Sequence, residues 1–348
     1  MTKGFRRVGV APTISDVADA AGVSAMTVSR VINRDARVRD ETRERVDAAI
    51  ARLNYIPNPA ARVLAGAVRT RIGLVYGNPS SAYLSEVLLG CLAEASRADV
   101  QLMLENCVQG YDAAGMVEHL RATHIDGVVL PPPFCDAPDL VDRLLAAGLP
   151  IVQLATGAPV DGAFAVTVDD AAAAADMTRT LIAKGHRRIG FIVGAANQTT
   201  STRRLNGYRA SLAEAGIPCD DALIAQGDFS YGSGLIAADT LLRLASRPTA
   251  IFASNDDMAA AVIATAHRRH LDVPGDVSVC GFDDTPLATT ILPTLTTVRQ
   301  PVADMAQAAV ALLAEAARRL RAGRRPEPEC RVLPHAIIER QSVAAISQ

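Results

Sequence analysis

Across its 348 residues the sequence contains no G-x-G-x-x-G or P-loop phosphate cradle and no G-x-S-x-G nucleophile elbow. Its six histidines are isolated. Its six cysteines (Cys91, Cys107, Cys135, Cys219, Cys280 and Cys330) form no CxxC pair and have no histidine at metal-ligand spacing. No catalytic residue, metal site or cofactor is therefore expected, and the cysteines read as small apolar residues of a reducing compartment. No segment approaches the ~20 uninterrupted apolar residues that span a bilayer. Met1 to Ala11 shows neither an apolar run nor a cleavage-like site. A cytoplasmic protein with no membrane partner is expected.

Strong net charge is also missing. The total is −2, which speaks against a uniformly basic nucleic-acid binder. The charge is unevenly spread, however. Met1 to Arg71 carries 13 Lys/Arg against 7 Asp/Glu, a net of +6, while the remainder carries 22 against 30, a net of −8. A basic head on an acidic body points the head at a polyanion, although charge alone fits a basic tail without a partner as well. With 49% hydrophobic and 21% charged residues the chain can fill two or three cores.

From Arg71 onward, short runs that are apolar on both faces alternate with helical patterns. Strands are expected over 72–76, 100–104, 127–130, 151–154 and 165–168, and again over 188–193, 250–253 and 277–281. Helices are expected over 86–98, 113–122, 140–147, 171–184, 203–215, 233–244 and 257–270. Such alternation is the pattern of βαβ units and parallel sheets. The strands are too many for one comfortable sheet, so an α/β core of two doubly wound parallel-sheet subdomains is expected, with a ligand cleft at the carboxyl ends of the strands. Asn78, Asn255-Asp256-Asp257 and Asp283-Asp284 lie at such ends.

Residues 13–54 differ: they read as short helices with no strand. Ile14, Val17, Ala18 and Ala21 share one helical face, Gly22 can close that helix in a left-handed conformation, and Ser24 can cap the next. The second helix would bury Val28, Val31 and Ile32 and expose Ala25, Met26, Ser29 and Arg30. Two short helices around a glycine turn form a helix-turn-helix, whose second helix enters the major groove. There Arg30 could donate twice to a guanine edge, Ala25 and Met26 could offer apolar contact to a thymine methyl, and Ser24 and Thr27 could donate to phosphates. The hairpin alone fits equally an ordinary helical pair that binds nothing. A third helix over 38–54, with Val46, Ala49, Ile50 and Leu53 on one face, supplies the wall a small core needs.

The stretches ISDVADAAGVSAMTVSRVIN, LNYIPN and LAG, followed in order by GHRRIGFI, RLNGYRASLAEAGI, FASNDDMAAAVI, VSVCGFDDTPLA and PTLTTVRQP, resemble the LacI family of bacterial transcription regulators over nearly the whole chain. The resemblance implies an all-α helix-turn-helix head over 12–56, a hinge helix and linker over 57–70, and an effector-binding and dimerisation core over 71–343 similar to periplasmic binding proteins. The core would divide into an N-subdomain (about 71–168 and 300–329) and a C-subdomain (about 169–298 and 330–343). On the head it implies base reading by Arg30, a specificity pair at Ala25 and Met26, and phosphate contacts at Thr27, Ser29, Asn33 and Tyr55, with Asn58 on the same DNA-binding surface. Leu64 would be the hinge leucine that wedges into the minor groove of a palindromic operator.

In the cleft the resemblance implies an effector gripped by Arg204, covered by Phe229 and met by Asn255, Asp283, Tyr83 and Gln300. Asp169 and Asp170 could line the cleft or cap the helix after them. Hydroxyl-binding side chains with one aromatic face suit a sugar; a purine or nucleoside could stack on Phe229 as well. The strand end Gln153-Leu154-Ala155 lacks the acid that some sugar-binding members carry there. The short tail after Arg340 has no leucine heptads, so a homodimer is expected rather than a tetramer.

Overall fold

The computed structural model describes residues 12–32, 37–55, 69–107 and 112–346. The chain divides into two compact units, Met1–Arg69 and Thr70–Gln348.

In the first unit α1 (Ile14–Ala21), α2 (Ala25–Ile32) and α3 (Asp40–Leu53) surround one small core. A capping box starts α1: the Thr13 amide and hydroxyl donate to the Asp16 carboxylate at 2.7 Å each, and Asp16 returns its amide to Thr13 Oγ1. Gly22 closes α1 at φ +66°, a conformation in which a Cβ would be strained. Val17, Ala18, Ala21, Val28, Val31, Val46 and Ala49 are buried together, with Ile14, Val23, Ile32, Ile50 and Leu53 packed against them. The expected faces of all three helices therefore meet.

The second unit holds two six-stranded sheets. Sheet one runs β11-β5-β4-β3-β1-β2, all parallel, from β1 (Thr70–Tyr76), β2 (Val100–Asn106), β3 (Gly127–Leu130), β4 (Ile151–Leu154), β5 (Phe164–Thr167) and β11 (Cys330–Val332). Its helices are α4 (Ser81–Arg97), α5 (Ala113–Ala122), α6 (Pro138–Ala146) and, from later in the chain, α12 (Val302–Arg321). Sheet two runs β12-β10-β9-β8-β6-β7, from β6 (Ile189–Val193), β7 (Ile224–Gln226), β8 (Ala250–Ala253), β9 (Ser278–Asp283), β10 (Thr296–Arg299) and β12 (Ala336–Ile338), with only β12 antiparallel. Its helices are α7 (Asp170–Ala183), α8 (Thr199–Glu214), α9 (Tyr231–Leu242), α10 (Asp256–Arg268) and the short α11 (Leu287–Thr290).

The chain passes between the sheets after β5, after β10 and after β11. The last crossing corrects the expected division: residues 330–332 pair with β5 in sheet one, so the return to the second subdomain falls after Val332 and not at 330. Four strands escape the sequence reading. Strands β7, β11 and β12 are three residues long, and all of β11 is exposed, so neither length nor apolar run marks them. Strand β10 is buried through Thr296, Thr297 and Val298, and its threonines look polar until their hydroxyls are seen to be satisfied inside. The twenty-residue α12 also goes unmarked, because alanines make up much of its buried side.

Candidate functional site

On the head, Ser24 caps α2 by accepting the Thr27 amide at 3.2 Å, and the two hydroxyls lie 2.9 Å apart. One hydroxyl hydrogen of the pair is thus consumed internally and the other remains available. Ala25, Met26 and Arg30 are exposed and Ser29 half-exposed; Met26, at 66%, presents an apolar side chain to solvent at the start of the helix. These residues form one accessible surface on α2. Tyr55 does not share it: it is buried in the cluster that holds Val17, Val46 and Ala49, so it belongs to the core of the head. Asn33, Asn58, Leu64 and residues 57–68 of the expected hinge helix and linker lie outside the described residues.

In the second unit, Tyr83, Arg204, Phe229, Asn255, Asp283 and Gln300 line one cavity of about 30 Å³, room for a water molecule or two, so a larger ligand must part its walls to enter. Asn78, Ser80, Pro132, Ala155, Gln198 and Thr200 complete the wall. The first sheet contributes the ends of β1, β3 and β4 and the first turn of α4. The second contributes the start of α8, the turn before α9, the ends of β8 and β9, and Gln300 stands at a crossing. Three lining residues, Ala155, Phe229 and Asp283, have left-handed backbone with φ of +55°, +70° and +113°. Such strain persists only where the surroundings enforce it, and it concentrates at ligand sites.

Arg204 is the electrostatic centre of the cavity. Its Nε donates to Asp170 Oδ1 at 2.7 Å, its Nη1 to the Ser254 carbonyl at 2.5 Å, and Asp283 lies 4.0 Å from Nη1. The guanidinium stacks 3.6 Å over the Phe282 ring and lies 5.8 Å from the Phe229 centroid. All three charged side chains are at least 95% buried. Burial holds the carboxyls of Asp170 and Asp283 above the usual carboxylate range, Asp283 well above it, and Arg204 offsets only part of that rise. Gln300 Nε2 donates to Asp283 Oδ1 at 2.6 Å. Burial, with Asp283 adding to it, raises the Tyr83 phenol far above 10, so it remains a neutral hydroxyl. Among the described residues, Tyr83 OH and Gln300 Oε1 are buried polar atoms with no hydrogen-bond partner. Such atoms are costly unless something in the cavity satisfies them.

Two expected contacts have structural duties. Asn255 caps α10 by accepting the Met258 amide at 3.0 Å and donates to the Phe229 carbonyl at 2.8 Å. It thereby holds the turn that presents the Phe229 ring. Asp169 caps α7, whereas Asp170, the neighbour in sequence, turns inward to Arg204.

Residues 13–58 match bacterial regulatory proteins of the lacI family, and residues 178–343 match the periplasmic binding protein-like domain. Catabolite control protein A of Priestia megaterium is 35% identical over 86% of this chain and 91% of its own. The ribose operon repressor of Escherichia coli K12 is 34% identical over 86% and 92%. The chain belongs to the LacI family of bacterial regulatory proteins. Two solved structures extend the likeness over the whole chain. The transcriptional regulator CelR in complex with cellobiose has a TM-score of 0.72 at 33% identity, covering 95% of this chain and 99% of that one. The lac repressor dimer bound to operator and an anti-inducer has a TM-score of 0.73 at 28% identity over 96% and 99%.

This LacI-family protein is a DNA-binding transcriptional regulator with a helix-turn-helix head and a two-sheet core. Among the described residues no group of three His, Cys, Asp or Glu could hold a metal, and no helix is long and apolar enough to cross a membrane. Sequence reasoning missed Ser80, Pro132, Gln198 and Thr200 in the wall. Gln198 and Thr200 stand just before the recognised helix pattern at 203–215, at the cap and in the first turn of α8.

Proposed function

We propose that this regulator represses genes of carbohydrate use as a homodimer on a palindromic operator and is released from it by an uncharged sugar. The observation that carries the ligand class is the charge of the cavity. Arg204 is the one cation among its described lining residues, and it is already opposed by Asp170 and Asp283. A phosphate or carboxylate would find no spare cation there, because the guanidinium already faces two carboxyl groups. Hydroxyls suit it better: Tyr83 OH can donate, Gln300 Oε1 can accept, and Phe229 can cover an apolar C–H face. The relatives named for ribose, and the neighbour solved with cellobiose, support the same class.

The DNA half of the proposal rests on the exposed face of α2. Arg30 is its hydrogen-bonding base reader, with Ala25 and Met26 supplying apolar fit. Arg30→Ala should weaken operator binding by about 1–3 kcal/mol and relax one base position; equal losses on all sequences would remove its base-reading role.

Fluorescence anisotropy on the palindrome upstream of the neighbouring genes tests the effector. Cellobiose, ribose, glucose 6-phosphate and hypoxanthine are added in turn. A neutral sugar should lower operator affinity by roughly 5–150-fold. A response to hypoxanthine or the phosphate alone, or to none of the four, would overturn the sugar reading.

A further inference from the structure

Helix α8 carries two cavity residues, Thr200 and Arg204, in its first turns, and a third, Gln198, is its N-cap, whose side chain makes no capping bond. The cap comes from the other subdomain. Asp136, which ends the short turn Phe134–Asp136 beside β3, accepts the Thr199 amide at 2.8 Å and the Thr199 hydroxyl at 2.9–3.0 Å. Thr156, just past β4, donates to the same carboxylate at 2.6 Å and orients it. A second loop of that subdomain grips the same turn. The Gly157 amide donates to Thr199 Oγ1 at 2.8 Å, and Arg203 Nε donates to the Gly157 carbonyl at 2.5 Å. A Cβ on Gly157 would stand 3.0 Å from the Thr199 carbonyl carbon, so a side chain there would have to push Thr199 back by a few tenths of an ångström.

We propose that Asp136 and Gly157 on one subdomain and Thr199 on the other form a latch across the effector cleft, and that Asp136 is a positioning residue for Gln198, Thr200 and Arg204. Thr199 lies between the two lining residues Gln198 and Thr200 and little more than a turn from Arg204. Opening the cleft at this edge breaks charge-assisted bonds to a helix N-terminus, where a carboxylate is favoured. A second bond, from Ser80 Oγ to Asp257 Oδ2 at 2.5 Å, also joins the subdomains, and Ser80 itself lines the cavity. Latch strength sets how far the unliganded core is already closed, and with it the share of effector affinity used to close it. The proposal rests on the effector reading only for what the latch regulates.

Amide hydrogen exchange on the full chain, without effector or DNA, tests it on the wild type, Asp136→Ala, Thr199→Val and Thr199→Ser. In Asp136→Ala the amides of 198–201 should exchange about tenfold faster or more. In Thr199→Val the acceleration should appear at 155–158, on the opposite subdomain, because Gly157 loses its acceptor. Thr199→Ser keeps the hydroxyl and should exchange as the wild type does. Unchanged rates at 198–201 in Asp136→Ala, or no reciprocal effect at 155–158, would overturn the latch. Equal acceleration throughout both sheets would mark a merely structural role and overturn it too. The absence of a sugar response leaves this experiment intact, so the two readings fail separately.

Discussion

In the head, the residues that face solvent on α2 are functional candidates and the buried ones hold three helices together. In the core the relation is inverted: Arg204, Asp170, Asp283, Gln300 and Tyr83 are all buried. A reading head meets a large, regular polyanion and needs an accessible surface. A cleft that selects a small molecule must exclude water, so its polar groups are buried and become part of the stability of the fold. Substitutions on the head's reading surface should therefore change binding, while substitutions in the core site should change binding and folding together.

Arg204→Ala is the hardest test of that contrast. It leaves Asp170 and Asp283 buried without their cation and should cost the core about 3–5 kcal/mol in urea unfolding, with exchange protection in the head unchanged. A loss below about 1 kcal/mol would mean that water already reaches these carboxylates, and the contrast would collapse.

Asp256 sharpens it through pH. Burial pushes its carboxyl up to about 7, although the Thr285 amide and the Thr285 and Thr297 hydroxyls all donate to it and pull it down. The folded core thus holds this proton more tightly than the unfolded chain. Its contribution is fully present below about pH 4 and is lost as pH rises through about 7, by up to roughly 4 kcal/mol. Asp256→Asn lacks the titration, so its stability relative to the wild type should rise between pH 4 and 7. Parallel curves would show that Asp256 is ionised throughout. No carboxylate is buried among the described residues of the head, so the head should show no such slope.

The smallest expected effect lies in the head. Thr13→Ala removes half of the capping box and should cost about 0.5–2 kcal/mol, seen as faster exchange across α1 alone. A simultaneous change in the core would show that the two units do not unfold independently.

Legibility follows the same division. In the head, Ile14, Val17, Ala18 and Ala21 repeat at helical spacing within one short segment, and Gly22 and Ser24 punctuate it. Each residue's environment is set by neighbours a few positions away. Tyr55 is the exception, because whether it faces the core or solvent depends on α1 and α3 meeting. In the core, the apolar central strands were legible from their runs, but β10 was not, since its buried Thr297 is satisfied by Asp256, forty-one positions earlier, which accepts its hydroxyl. Of the cavity wall, the residues tied to recognisable motifs were found. Ser80, Pro132, Gln198 and Thr200 carry no periodic signal and were not.

By itself the sequence determined the family, the helix-turn-helix, the alternation of strands and helices, and six side chains that share one cavity. Those properties are local or travel with contiguous motifs. Only the tertiary structure decided that β11 returns to the first sheet, that Asp170 and not Asp169 pairs with Arg204, and that Asp136 caps a helix belonging to the other subdomain. Each depends on segments brought together by three crossings between two sheets, and hydrogen bonds across such distances leave no periodicity in the chain.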